Sequence, residues 1–317
     1  MNQQITDLLS CGEEVTDVDE ESFLLFSQDI PTGNLGFIDS HATTLEVTIQ
    51  GAEYSITQSP TLLSSSRAGG TTGAVLWKIT PLFTDWISTP SNPLWTTNLL
   101  SSESVVVELG CGISALVALA LAPSVQYFLA TDQEYVRRLF RTNLSVNNSV
   151  SSNSKKSGGV KRGGKSSKKL SSPSQSHHIS NVTLTTLDWE LDQPGLLRDC
   201  IPELGDFRRG DEDKDRGFDL LLSCDCIYNE ALVKPFVRTC TEICRLRPAY
   251  EPSKEIGSRR PTICIVAQQQ RMPDVFEAWL QETLREFRVW RISDEVLGPG
   301  LKTGTGYLVH LLLLREK

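Results

Sequence analysis

From residue 104 onward, short apolar runs rich in β-branched residues alternate with segments of helical periodicity, and no other feature limits the fold as much. Residues 104–109 (SVVVEL) are the first such run and end in Gly-Cys-Gly. Residues 113–122 (ISALVALALA) predict a helix closed by Pro123, and 125–131 a second strand ending at Asp132. Further strands are expected at 181–186, 218–224, 262–267, 288–292 and 307–314, and helices at 133–147, 229–246 and 273–287. The run 218–224 is apolar almost throughout, as a parallel strand covered on both faces should be. Such alternation builds right-handed βαβ units. The expected class is therefore α/β, with a doubly wound, mostly parallel seven-stranded sheet. Upstream, residues 44–58 alternate on either side of Gly51 and predict a β-hairpin. Leu76, Ile79, Phe83 and Trp86 recur at helical spacing, so a helix is expected to start near Thr72 and to absorb Pro81 early.

Charge divides the rest of the chain. Of 317 residues, 31 are basic and 39 acidic, a net −8 that argues against a nucleic-acid binder. No acidic residue lies between Glu134 and Asp188, whereas seven basic ones (Lys155, Lys156, Lys161, Arg162, Lys165, Lys168 and Lys169) cluster there. Residues 148–180 offer almost nothing to bury and are expected to be a disordered basic insertion in a domain spanning 44–317. Residues 1–43, with Glu13, Glu14, Asp17, Asp19, Glu20 and Glu21, read as an acidic, loosely structured extension. No run approaches 18 apolar residues and residues 1–30 lack a signal-peptide pattern, so a membrane association is not expected. The eight cysteines form no CxxC pair, and the four histidines complete no metal signature with them. Reduced thiols in the cytoplasm or nucleus are the corresponding expectation.

The chemistry centres on Glu108-Leu109-Gly110-Cys111-Gly112, at a strand-to-helix transition. Glycines there let the backbone approach a ligand, and the following helix offers free N–H groups. Asp132 ends the next strand, where a carboxylate can accept hydrogen bonds from ribose hydroxyls. Gly110-x-Gly112-x-x-Ala115 also satisfies a loose dinucleotide fingerprint, which leaves NAD and S-adenosylmethionine both open. Glu108 favours the latter, because an acid at that position repels a pyrophosphate but suits a sulfonium or an α-ammonium group; alternatively, it braces the loop by accepting backbone N–H groups. A second group, Ser223-Cys224-Asp225-Cys226-Ile227-Tyr228, follows the fourth strand. Asp225 and Tyr228 are three residues apart and can face one opening, or else Asp225 caps the next helix and Tyr228 packs.

Taken in order, Gly73-Ala74-Val75-Leu76-Trp77, Val107-Glu108-Leu109-Gly110-Cys111-Gly112, Leu187-Asp188-Trp189 and Asp219-Leu220-Leu221-Leu222-Ser223-Cys224-Asp225-Cys226-Ile227-Tyr228 resemble the methyltransferase-like 21 family of seven-β-strand protein-lysine methyltransferases. The resemblance covers about residues 44–317 outside the insertions, and its Asp-x-x-Tyr step is the most specific element. It implies a class I S-adenosylmethionine-dependent fold. Trp77, on the helix before the glycine loop, Glu108, Gly110, Gly112, Asp132, Asp188, Trp189 and Cys224 are then expected to bind the donor, with Asp188 and Trp189 beside the adenine. Asp225 and Tyr228 are expected at the mouth where the target lysine enters. The implied partner is a basic ribosomal protein of the large subunit, of the L1 type, with no direct nucleic-acid readout and a monomeric enzyme. A methyltransferase of the same fold acting on a nucleic acid or small molecule is the alternative, although 225–228 lacks the proline-rich motif usual for base methylation. A NAD-dependent dehydrogenase is a further one.

Overall fold

A computed structural model of the 317-residue chain describes residues 2–29, 36–65, 70–151, 180–201, 217–252 and 260–316. In chain order its strands are β1 (Gly12–Val15), β2 (Thr44–Ile49), β3 (Ala52–Thr57), β4 (Val105–Leu109), β5 (Tyr127–Asp132), β6 (Val182–Thr186), β7 (Leu220–Cys224), β8 (Ile263–Gln269), β9 (Phe287–Ile292) and β10 (Tyr307–Leu314). Eight of them form one sheet in the order β1-β9-β10-β8-β7-β4-β5-β6. The run from β8 to β6 is parallel, and β10, β9 and β1 add to it antiparallel.

Side-chain alternation along the strands sends neighbours to opposite faces. Val106 packs with Phe83, Leu116 and Phe140 on one side, while Val105, Val107 and Leu109 pack with Phe236, Val237 and Trp279 on the other. The first face is covered by the helices Ile79–Ser88, Leu116–Leu121 and Arg137–Ser151, and the second by Glu230–Cys244 and Pro273–Glu286. The α/β expectation therefore holds, with strands buried on both faces. β2 and β3 form the expected hairpin. It is pinned to the helix Arg137–Ser151 by Asn143 and Asn147, whose Oδ1 atoms accept the N–H groups of Thr57 and Ser55, each at 2.8 Å.

The N-terminus departs from expectation. Residues 2–26 are not a loose extension: the helix Asn2–Leu9 leads into β1, which pairs with β9, and the helix Val18–Phe26 packs on Pro273–Glu286. β1 makes the sheet eight-stranded rather than seven-stranded. Three of the acidic residues that suggested a solvated tail are ion-pair partners. Glu14 takes a two-pronged grip from Arg288 at 2.7 and 2.6 Å, and Arg291 bridges Glu13 and Glu21, both at 2.6 Å. Glu21 also meets the fully buried ring of His310 at 3.2 Å. The counter-charges lie far along the chain, so local composition does not reveal them.

The helix expected from Thr72 also starts later, at Ile79, after a single 3₁₀ turn at Thr72–Ala74. A proline in a helix interior collides with the carbonyl four residues before it, which here is that of Trp77. Beginning at Ile79 puts Pro81 in the first turn, where no N–H is needed. Trp77 accordingly lies not on the helix but on an isolated β-bridge with Phe37. The basic insertion expected at 148–180 falls, from 152 to 179, outside the described residues.

Candidate functional site

Strand order reverses at β4: β5 and β6 lie on one side of it, β7 and β8 on the other. In an open parallel sheet a crevice opens beyond the carboxyl ends of the strands at such a point. The loop 110–112 leaves β4 there, and 225–228 leaves β7 beside it.

Gly110 and Gly112 have φ of +66° and +61°, the left-handed region that favours glycine. A Cβ on Gly110 would sit 2.3 Å from Cys226 Sγ, with the ring of Trp189 at 3.6 Å. The Cys226 thiol donates to the carbonyl of Leu109 at 3.3 Å, so the two loops are locked together by atoms that leave no room for a side chain. Asp132 holds the glycine loop from the other side. Its carboxylate accepts the N–H of Gly112 at 2.8 Å and that of Gln133 at 2.6 Å. Gly73 closes the crevice, since its carbonyl accepts from the N–H of Ile113 at 3.0 Å and its own N–H donates to the Tyr135 hydroxyl at 3.1 Å.

Both carboxyls of the site are buried, and the charge of Asp132 bears on Glu108. Glu108 is only 3% exposed, and burial together with the charge of Asp132 pushes its pKa up to about 8. Burial raises that of Asp132 as well, to about 6, against the pull of its two N–H donors. A cationic ligand group would relieve this arrangement and an anionic one would aggravate it.

The second cluster surrounds Asp225, which has φ of +62° and whose side chain is 4% exposed. Its Oδ1 accepts from the N–H of Gln269 at 3.0 Å and from Nη1 of Arg271 at 2.6 Å; Oδ2 accepts from Nη2 of Arg271, also at 2.6 Å. The same guanidinium lies 5.0 Å from the centre of the Trp77 ring. Trp77 in turn donates from Nε1 to the carbonyl of Thr72 at 3.0 Å. Tyr228 is 40% exposed, and its hydroxyl accepts from Thr72 Oγ1 at 3.1 Å. Asn229, not Asp225, caps the following helix, accepting from the N–H of Ala231 at 3.1 Å. Cys224 is half-buried, 4.0 Å from Thr80 Oγ1, and burial raises its thiol well above the ordinary range.

Nine of the ten residues singled out from the sequence thus fall in two adjoining clusters. Glu108, Gly110, Gly112, Asp132 and Trp189 form one; Trp77, Cys224, Asp225 and Tyr228 form the other. Asp188 differs: its Oδ1 accepts the N–H groups of Glu190 and Leu191 at 2.9 and 3.3 Å, which spends that oxygen on its own turn. Sequence reasoning missed Arg271, Tyr135 and Thr72. Arg271 was detectable in principle, because it follows the end of the parallel strand beside β7.

The chain is similar to fungal proteins named ribosomal lysine N-methyltransferase 5. That of Zygosaccharomyces rouxii is 27% identical over 256 residues, covering 76% of this chain and 73% of that protein. That of Vanderwaltozyma polyspora is 24% identical over 316 residues, covering 87% and 91%. A diaminohydroxyphosphoribosylamino-pyrimidine deaminase of Schizosaccharomyces pombe is 34% identical over 135 residues, but the match spans only 42% of this chain and 32% of that protein. No family model matches the chain. Among solved structures, an rRNA methylase from Streptococcus thermophilus aligns with a TM-score of 0.37 at 14% identity, covering 74% of this chain and 96% of that one. A dimethyladenosine transferase from Plasmodium falciparum aligns with a TM-score of 0.34 at 12% identity, covering 74% and 62%.

Proposed function

We propose that this chain is an S-adenosylmethionine-dependent protein-lysine N-methyltransferase whose substrate is a basic protein of the large ribosomal subunit, of the L1 type. The observation that carries the reading is the joining of the glycine loop to the Asp-x-x-Tyr segment through the Cys226 contact with Leu109, which sets both at the carboxyl ends of β4 and β7, where an open parallel sheet binds its ligands. The names of the relatives support the acceptor class.

The residues suit such a donor. The side-chain-free cradle at Gly110 and Gly112 admits a ligand against the backbone, and Glu108, two residues before it in the chain, carries a buried carboxyl whose ionisation a cation would favour. Asp132 stands where a ribose would be held, and Trp189 walls the loop. When bound, the donor supplies a methyl group already activated by a sulfonium. A pyrophosphate-bearing dinucleotide meets two carboxyls instead, which disfavours NAD.

A free lysine amine has a pKa near ~10.4 and attacks only when neutral, so the mouth must favour loss of its proton. Tyr228 and Trp77 supply walls that narrow the approach, and Asp225 is fixed at the base of that entrance. Positioning then contributes most of the acceleration, with no covalent enzyme intermediate. A ribosomal-protein substrate places the work in the cytoplasm or the nucleus.

The test is incubation of the protein and labelled donor with an extract from cells lacking it, followed by mass spectrometry of the labelled product. One methylated lysine on a large-subunit protein is expected. Methyl transfer at the wild-type rate by both Asp225→Ala and Tyr228→Phe would overturn the assignment of the mouth. Calorimetric titration should show binding of S-adenosylmethionine and none of NAD.

A further inference from the structure

We infer that Arg271 sets the charge of the substrate mouth, pairing with Asp225 so that an entering lysine meets a neutral corner instead of a free carboxylate. The inference rests on the proposed lysine-methyltransferase reading and makes Arg271 a positioning residue for it.

The geometry is specific. Arg271 lies two residues beyond β8 and reaches across to the loop after β7. Its two terminal nitrogens meet the two oxygens of Asp225 at 2.6 Å each, the parallel arrangement that gives guanidinium–carboxylate pairs their strength. The Trp77 ring lies 5.0 Å from the guanidinium, and Nη1 also reaches the carbonyl of Gln269 at 3.4 Å. The guanidinium is thus held at the site's rim between a carboxylate and an aromatic wall.

That placement changes what Asp225 does. A lone buried carboxylate beside a lysine stabilises the ammonium form, raising its pKa and suppressing the nucleophile. A paired carboxylate has its charge compensated yet keeps acceptor capacity: Oδ1 has two donors here and Oδ2 one, out of about four lone-pair sites on the group. Asp225 can therefore still accept an N–H from a neutral amine through Oδ2. In the reaction the amine lone pair forms the N–C bond as the C–S bond breaks, so the proton must leave to solvent beforehand. The other ionisable groups whose fields reach this corner are Cys224 and Cys226 on the loop, Tyr228 at its end, Tyr307 from β10, Glu108 from β4 and Asp132 from β5. None of them is a cation, so Arg271 is the positive charge of this set.

The experiment is the pH dependence of methyl transfer by the full chain to the mapped substrate, in wild type, Arg271→Met, Arg271→Lys and the double variant Asp225→Asn/Arg271→Met. Arg271→Met leaves Asp225 uncompensated. Its rate at pH 7.5 should fall about tenfold or more, and its profile should move up by about one pH unit, since each unit is tenfold in neutral amine. The two rates should converge only once the pH exceeds the lysine pKa in the variant's complex. The double variant should return the profile to that of wild type, and Arg271→Lys should lie between. As a readout apart from turnover, a substrate peptide with ε-¹³C lysine, titrated by NMR in complex, should show a lower lysine pKa on wild type than on Arg271→Met. A uniform loss at every pH, or an unmoved NMR titration, would overturn the inference. Donor affinity checks folding; if Arg271→Met loses it, Arg271→Lys decides by whether its profile shifts. Failure of wild type to methylate any protein in the extract would instead overturn the functional reading.

Discussion

Replacing Glu108 by glutamine separates the cost of this buried acid from its use. Glu108 is the penultimate residue of β4 at 3% exposure, and burial, followed by the charge of Asp132, moves its pKa from 4.5 to about 8. Below pH 4.5 the folded and unfolded chains both hold the proton. Between 4.5 and 8 the unfolded chain has released it and the folded chain has not, so stability falls as pH rises through that window. The span sets a ceiling of about 5 kcal/mol on the loss by pH 8. A glutamine amide cannot titrate there and keeps the shape of the protonated acid. Without donor, Glu108→Gln should therefore melt near wild type at pH 5 and above it at pH 8. At about 2 °C per kcal/mol for a chain of this size, the gap should reach several degrees. Scanning calorimetry from pH 5 to 8.5 reads it directly. Donor binding should run the other way: wild-type affinity should rise up to about pH 8 as Glu108 ionises against the donor's cation, while the variant binds weakly and without that slope. A difference in melting temperature that is the same at every pH, or one that favours wild type at pH 8, would refute the reasoning.

Two further substitutions probe how the crevice and the sheet are held. Gly110→Ala must strain the backbone at φ +66° and drive a methyl into Cys226 Sγ, whereas Gly112→Ala meets nothing closer than the Gly73 carbonyl at 3.4 Å. Both should lose about 1–3 kcal/mol to backbone strain. Only Gly110→Ala should regain stability when combined with Cys226→Ala, as read by urea midpoints. Deleting residues 2–29 uncovers the β9 edge and strips Arg288, Arg291 and His310 of their carboxylate partners Glu14, Glu13 and Glu21. The truncated chain should unfold at markedly lower urea and associate through the open edge; an unchanged midpoint would mean that the N-terminal segment is dispensable.

What the sequence disclosed and what it hid follow one physical division. Strands with both faces covered are apolar almost throughout, so 104–109 and 218–224 announce themselves as central strands from composition alone. Glycines that must adopt positive φ next to a strand end are similarly visible, which is why Gly110, Gly112 and their neighbour Asp132 emerge together. A charge placed by long-range pairing leaves no local trace. Glu13, Glu14 and Glu21 look like parts of a solvated acidic run because Arg291, Arg288 and His310, their respective partners, lie more than 270 residues away in the chain. Asp225 raises the same difficulty inside the site. Its place after β7 was legible, but its partner lies 46 positions further on, beyond another helix and strand. A motif names the carboxylate that approaches the substrate; only the fold reveals whether that carboxylate arrives with its charge exposed or already paired. For a reaction that needs an uncharged amine, that difference decides whether Asp225 promotes the nucleophile or traps it as a cation.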